Sequence, residues 1–314
     1  MSAGLYRAVT FALAAIVLTG GLGYVGRHLV SALAERGDRV ISYNRDYAEG
    51  SPSGVEFVQG ELYDIPRLVD TFSRHGVDRV IHTAAMSHPD LSIDLPITTF
   101  AANVDGTLHL FEATRMAGVK RVVNFSSECA YGNVDGPVTE DSGLHPTTPY
   151  GVTKVTTELL SEVYNDLYGQ DIISLRVTEV YGPGNRMPEI LRDIIRPALE
   201  GEPFVMETGG DHGFHFVHVR DVARAAILAA DSTQRERSVF NITGGSQVTL
   251  TQAGEMIGEL IPGARIEIGP GYWHLDRQGP WDISAAARDL GYKPEYPLER
   301  GLPEYVAWLR EHEY

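Results

Sequence analysis

The chain has 314 residues, 43% of them hydrophobic, a formal net charge of −16 and a single cysteine. The length suits one large domain or two closely joined ones. The acidity and the lack of any dense Lys/Arg run argue against a nucleic-acid partner, and the lone Cys129 rules out an intrachain disulfide. No apolar stretch reaches the length of a membrane span, so a soluble protein of the reducing cytoplasm is expected.

At the N-terminus, Arg7 followed by Ala8–Leu18 has the outline of a short signal peptide. Ala14–Leu18, however, runs straight into a glycine turn, as a buried first strand does, and cleavage would destroy that strand. It is read as the first strand, with Met1–Leu13 as a leader or tag. Further strands are predicted at Arg39–Tyr43, Val55–Val58, Arg79–His82, Arg121–Phe125 and Ile172–Leu175, and helices at Tyr24–Arg36, Ile65–His75, Pro96–Ala117 and Tyr150–Leu167. This alternation implies a doubly wound α/β fold, a parallel sheet with helices on both faces. Such a sheet binds ligands at the carboxyl ends of its strands. After Arg176 glycine and proline punctuate shorter elements, until a helix over Val217–Ala230 and a strand at Val239–Ile242 return to the sheet. Residues 14–177 with 216–242 are therefore assigned to a dinucleotide-binding domain, and 178–215 with 243–314 to a smaller substrate-binding part.

Two patterns carry the chemistry. Gly20, Gly23 and Gly26 lie between a predicted strand and a predicted helix. There they let backbone N–H groups reach a pyrophosphate at the helix N-terminus, as in a Rossmann fold. The second strand ends in Asn44 and Arg45 instead of the acid that holds the ribose of NAD. Arg45 could meet a 2′-phosphate, which gives a slight preference for NADP over NAD, although Asp46 could still reach the ribose. Downstream, Tyr150 and Lys154 stand four apart on a helix, hence on one face, where an ammonium is expected to lower the phenol's pKa and prepare it to take a hydroxyl proton. Ser126 and Ser127 follow the Arg121–Phe125 strand, at the end of the sheet where a reacting oxygen would be bound.

The glycine turn, the Ser126-Ser127…Tyr131-Gly132 loop and Tyr150-x-x-x-Lys154 together resemble the extended short-chain dehydrogenase/reductases. That group includes UDP-glucose 4-epimerase, sugar-nucleotide dehydratases and UDP-glucuronate decarboxylase. The similarity runs from Ala14 to Arg310 and takes in Val80–Ala85, Asn103–Thr107, Leu175–Pro183 and Phe216–Asp221. It implies Ser127, Tyr150 and Lys154 as catalytic residues. It implies cofactor contacts from Gly20, Gly23, Tyr24, Val25, Gly26, Asn44, Arg45, Glu61, Leu62, Ala84, Ala85, Asn103, Tyr150, Lys154 and Val177. Substrate contacts would come from Ser87, Glu128, Thr178, Glu179, Arg186, His215 and Arg277, and the chain would act as a homodimer on a sugar or nucleotide sugar.

Several positions depart from the family pattern. Glu128 and Cys129 retain half of the acidic pair that dehydratases carry after the catalytic hydroxyl, and Cys129 reads as a small packed residue. Glu179 and Phe214 stand where epimerases place an Asn and an Arg against the diphosphate. A carboxylate there would repel that group. Arg186 matches an arginine that faces the carboxylate in uronate epimerases, and Arg277 matches a nucleotide-binding arginine. His212, His215 and His218 invite a metal reading, but on a strand over Phe214–Val219 the side chains of His215 and His218 would point to opposite faces, so no metal is assigned. The expected function is NAD(P)-dependent epimerisation of a sugar, through a keto form that turns over between two hydride transfers. A net dehydrogenase or reductase of a smaller hydroxy compound is the second reading, and a dehydratase the third.

Overall fold

The computed structural model describes residues 15–46 and 54–313, so Met1–Leu13 and Ala14 lie outside the described residues. The first half contains β1 (Ala15–Thr19), α1 (Tyr24–Arg36), β2 (Arg39–Asn44), β3 (Val55–Gln59), α2 (Ile65–His75), β4 (Val77–His82), α3 (Pro89–Asp94), α4 (Pro96–Phe100), α5 (Gly106–Ala117), β5 (Arg121–Ser127) and α6 (Pro149–Tyr168). There follow β6 (Ile172–Val177), β7 (Val180–Tyr181), α7 (Ile190–Glu200), β8 (Phe204–Met206), β9 (Gly213–Phe214), β10 (Val217–His218), α8 (Val219–Asp231), β11 (Val239–Ile242), β12 (Val248–Thr249), α9 (Leu250–Leu260), β13 (Ile266–Ile268) and α10 (Leu298–Glu311).

Seven strands form one parallel sheet in the order β11-β6-β5-β4-β1-β2-β3. The chain moves outward from β1 through β2 and β3, then restarts on the other side at β4. A crevice therefore opens at the carboxyl ends of β1 and β4, the place where such sheets bind ligands. Burial on both faces explains the continuous apolar runs: every residue of β1 and β6 is buried. Each fully buried Leu, Ile or Val there contributes about 1.5–3 kcal/mol. α1 and α8 cover one face, where Leu29, Leu33, Val222 and Ala226 meet Ile16 and Leu18. On the other, Phe72, Leu110, Phe111 and Tyr164 meet Val17 and Val80. A separate core, including Leu191, Ile194, Leu250, Ile257, Leu302 and Tyr305, gathers α7, α9 and α10.

Local signals set the helix ends. Asp64 and Thr148 accept from Arg67 N and Gly151 N as N-caps, and α6 starts on Pro149 and stops at Gly169 in the left-handed region. Two expected elements differ. The helix expected over Pro96–Ala117 contains a π-helical turn at Ala101–Asp105 between α4 and α5. Its extra residue leaves Asn103 in position to bond β4's exit: Oδ1 accepts from Met86 N at 2.8 Å, and Nδ2 donates to Thr153 Oγ1 at 3.1 Å. The helix expected from Val217 starts at Val219, because Val217 and His218 pair with β7 and the His218 side chain caps α8. Among the described residues no helix is long and apolar enough to cross a membrane.

Candidate active site

The glycine turn lies over the crevice. Gly20 has φ +74°, and a Cβ there would come within 2.8 Å of Ala84 N. A Cβ on Gly26 would overlap the Gly20 carbonyl oxygen and approach Gly21 Cα to 2.8 Å. α1 begins on Gly23 with no side-chain cap, so its first amides remain open to an anion. The cradle therefore fits a dinucleotide pyrophosphate, with no side chain in its way.

The neighbouring residues are tied to the turn. Asn44 Oδ1 accepts from Leu22 N at 3.0 Å, and Asn44 Nδ2 donates to Ser42 Oγ at 2.9 Å. The residue at the end of β2 thus holds the glycine turn itself. Arg45 is largely exposed and lies 3.5 Å from Asp46. The Tyr24 hydroxyl donates to Gly182 O at 3.1 Å and joins α1 to the loop after β7, while Val25 packs on the core. Glu61 offers its carbonyl to Tyr43 at 3.0 Å, and Leu62 packs against Gly106. Ala84 is half-buried, whereas Ala85 and Ser87 are exposed on the stretch after β4. Val177 and Thr178 are buried at the end of β6.

Tyr150 and Lys154 lie on the first turns of α6, and Ser127 ends β5 beside them. Lys154 Nζ sits 5.4 Å above the Tyr150 ring and donates to Phe125 O at 2.6 Å. Ser127 Oγ accepts from Cys129 N at 3.2 Å and caps the 3₁₀ turn that follows. The electrostatics differ from the sequence expectation. Burial, then Cys129, holds the Tyr150 phenol well above its usual value; the Ser127 hydroxyl pulls the other way, and Glu128 and Glu179 add to the rise. Burial also brings Lys154 down to about 8, against Cys129 and Glu158. In the protein alone desolvation outweighs the lysine, because both groups share one enclosed site.

Several of the residues expected to meet the substrate, with their neighbours, are acidic or aromatic. Burial pushes Glu179 up to about 7. Glu128 is raised well above its usual range by burial first and then by Glu179 and Asp276. Cys129 is raised by burial and then by Glu128, so its thiol is not a base. Phe214 is buried among Phe216, His212 and Trp273. Arg277 is exposed, stacks 4.9 Å over Tyr272, and donates its backbone N–H to Asn133 Oδ1 at 2.9 Å. Arg186, in the exposed loop after β7, lies close enough to Arg27 for the two charges to interact. His215 is buried 6.0 Å from Trp281, His218 stacks on Tyr296, and His212 lies tilted against Phe214 at 4.8 Å. Among the described residues no three His, Cys, Asp or Glu side chains converge as a metal site.

Sequence reasoning missed the partners of Ser126. Its hydroxyl donates to Glu158, which also takes the guanidinium of Arg176 at 2.6 Å, so Ser126 and Ser127 serve different ends. The signal was present in the spacing, since Glu158 stands four residues after Lys154 on α6.

A glycine cradle at the switch point of a parallel sheet, with a tyrosine, lysine and serine beside it, defines a nicotinamide-dinucleotide enzyme of the short-chain dehydrogenase/reductase class. Residues 16–243 match the sequence model of the NAD dependent epimerase/dehydratase family, and the chain belongs to that family. It is 30% identical to a UDP-glucose 4-epimerase of Halalkalibacterium halodurans, over 95% of this chain and 96% of the relative. It is 29% identical to a dTDP-glucose 4,6-dehydratase of an Actinoplanes species, over 94% and 97%. Its structure superposes on MoeE5 in complex with UDP-glucose and NAD with a TM-score of 0.83, at 32% identity, covering 95% of this chain and 99% of that one.

Proposed function

We propose that this enzyme epimerises a nucleotide sugar. The observation that carries the reading is the placing of Ser127, Tyr150 and Lys154 around one point at the carboxyl end of the sheet, beside the glycine cradle. Gly20, Gly23 and Gly26, with Asn103 and Val177, would hold a nicotinamide dinucleotide, which would accept and return the hydride. Ser127 orients the sugar hydroxyl, and Tyr150 takes its proton as the carbon is oxidised. Lys154, anchored on Phe125 O, favours the phenolate. The keto sugar then turns over in the pocket, and Tyr150 returns the proton after reduction on the other face. Residues 178–215 and 243–314 form the substrate-binding part, with Ser87, Glu128, Thr178, Glu179, Arg186, His215 and Arg277 facing the sugar nucleotide.

We take the cofactor to be NAD. MoeE5 and the Thermus thermophilus UDP-glucose 4-epimerase are described in complex with NAD. The residue that favoured NADP in the sequence, Arg45, is 73% exposed at its side chain and paired with Asp46, which gives little support for a 2′-phosphate site. A dehydratase is the second reading, supported by Glu128, whose carboxyl burial holds well above its usual range, in the direction a proton donor needs, and by the Actinoplanes relative. It lacks a base, since Cys129 is held as the thiol.

The chain is proposed to act as a homodimer. Val152, Leu159, Val163 and Leu167 line up along α6 at helical spacing and are exposed, with Ile97 of α4 as far as 84%. A second copy would cover this apolar stripe. Mass analysis of the freshly purified protein, followed by incubation with UDP-glucose, UDP-glucuronate and dTDP-glucose, tests the function. Retained NAD and a 4-epimer product are expected. A 4-keto-6-deoxy product would favour the dehydratase, and an empty site with cofactor consumed at each turnover the dehydrogenase.

A further inference from the structure

A buried polar assembly lies directly behind the proposed catalytic residues. Glu158 is 2% exposed and Arg176 4%. Glu158 follows Lys154 by four residues and Tyr150 by eight, so all three share one face of α6. Arg176 Nη2 donates to Glu158 at 2.6 Å, and Nε reaches the two carboxylate oxygens at 3.0 and 3.1 Å. The same carboxylate accepts from the Ser126 hydroxyl. Arg176 Nη1 donates to the Tyr131 hydroxyl at 2.7 Å and to Glu140 O at 3.0 Å, and Tyr131 in turn donates to Asn241 Oδ1 at 2.7 Å.

The placing of these contacts matters more than their number. α6 grips the end of β5 at two consecutive residues, Phe125 through Lys154 and Ser126 through Glu158, immediately ahead of Ser127. Tyr131 holds the chain just beyond it. Two groups acting on one substrate oxygen need to be held to within about 0.5 Å, and a two-point attachment does that. Stability alone does not account for the charges, since apolar pairs of similar volume often replace buried ion pairs at no loss.

The pair also faces Lys154. The groups around that ammonium are Tyr150 and Glu158 on α6, Cys129 in the turn after β5 and His82 on β4, with Arg176 of β6 behind Glu158. Glu158 and Cys129 favour the charged ammonium, and burial opposes it. With both oxygens of Glu158 occupied by Arg176, Lys154 is left to bond Phe125 O instead of collapsing onto the carboxylate.

We propose that the buried Glu158–Arg176 ion pair is a positioning device for the reaction: it fixes Ser127 against Tyr150 through Ser126 and Tyr131, and it sets how much negative charge Lys154 experiences. This rests on Tyr150 and Lys154 being the catalytic pair.

The chain's lysines are Lys120, Lys154 and Lys293, so a titration of lysines labelled with ¹³C at Cε, followed by NMR in the NAD-loaded protein, resolves Lys154 with two internal references. Glu158→Gln removes a negative charge and unmasks Arg176, so the titration of Lys154 should move down. Arg176→Met leaves Glu158 free to pair with Lys154, so it should move up. Each shift should be about half a pH unit or more. The double variant should return to within roughly 0.3 unit of wild type, while its turnover of UDP-glucose still falls because Ser126 has lost its anchor. If Glu158→Gln does not fold, Arg176→Met and the double variant decide, the double leaving no charge unpaired. Shifts that are absent, or of the same sign in both single variants, overturn the proposal. Failure of the catalytic reading shows separately, as turnover that survives Tyr150→Phe whatever the lysine titration does.

Discussion

The ammonium of Lys154 donates to the carbonyl oxygen of Phe125 at 2.6 Å, which ties the helix carrying Tyr150 to the strand carrying Ser127. The bond explains how two elements far apart in sequence present their hydroxyls to one point. It also uses only one of the ammonium's three protons and leaves the others for ligands.

Tyr150→Phe keeps the ring and its packing but removes the proton carrier. We expect turnover to fall by well over tenfold, more than about 1.4 kcal/mol of transition-state stabilisation, with NAD retention near normal. Single-turnover kinetics beside a dinucleotide assay would check this, and a variant with a tenth of wild-type kcat would refute the role.

Gly26→Ala should abolish dinucleotide binding, because its Cβ meets backbone atoms of Gly20 and Gly21 that cannot yield. The strain should cost about 1–3 kcal/mol of stability. Gly258→Ala on α9 is the control: its Cβ would meet nothing within 4 Å, so it should be neutral or stabilising by up to about 1 kcal/mol. Calorimetric NAD titration with thermal unfolding separates the two.

Asn44→Ala should weaken NAD and NADP alike, since the Asn44 side chain holds Leu22 N in the glycine turn. Arg45→Ala should leave NAD binding unchanged. If it weakens NADP more than NAD, Arg45 reads the 2′-phosphate and the NAD assignment fails.

Glu179 gives a pH dependence. Burial raises its folded pKa to about 7, against about 4.3 in an unfolded chain. The folded protein therefore binds this proton more tightly than the unfolded one. Its contribution to stability is present below about 4.3 and is lost as pH rises towards 7. Above 7 the group is an anion, and with Glu179 facing the substrate as proposed, UDP should bind more weakly there than at pH 6. Glu179→Asn should flatten both dependences, and Arg277→Ala should weaken UDP at every pH. A UDP affinity of the wild type that does not change between pH 6 and 8 would place the diphosphate elsewhere.

Much of the fold was legible because its signals are local. Buried parallel strands must be apolar throughout, helices alternate with them, and glycine turns and Tyr-x-x-x-Lys spacing survive without tertiary knowledge. Ser127, Tyr150 and Lys154 could thus be placed from sequence. What sequence could not supply depended on which groups meet in space. Asn44, expected among the cofactor contacts, also braces the glycine turn, and Ser126, which stands beside Ser127 at the end of the same strand, bonds Glu158. The π-helical turn that turns Asn103 towards Met86 and Thr153 left no mark in the helical pattern. The rise of the Tyr150 pKa was hidden for the same reason: spacing along a helix determines that Tyr150 and Lys154 share a face, whereas the burial that raises the phenol depends on what packs around it in space.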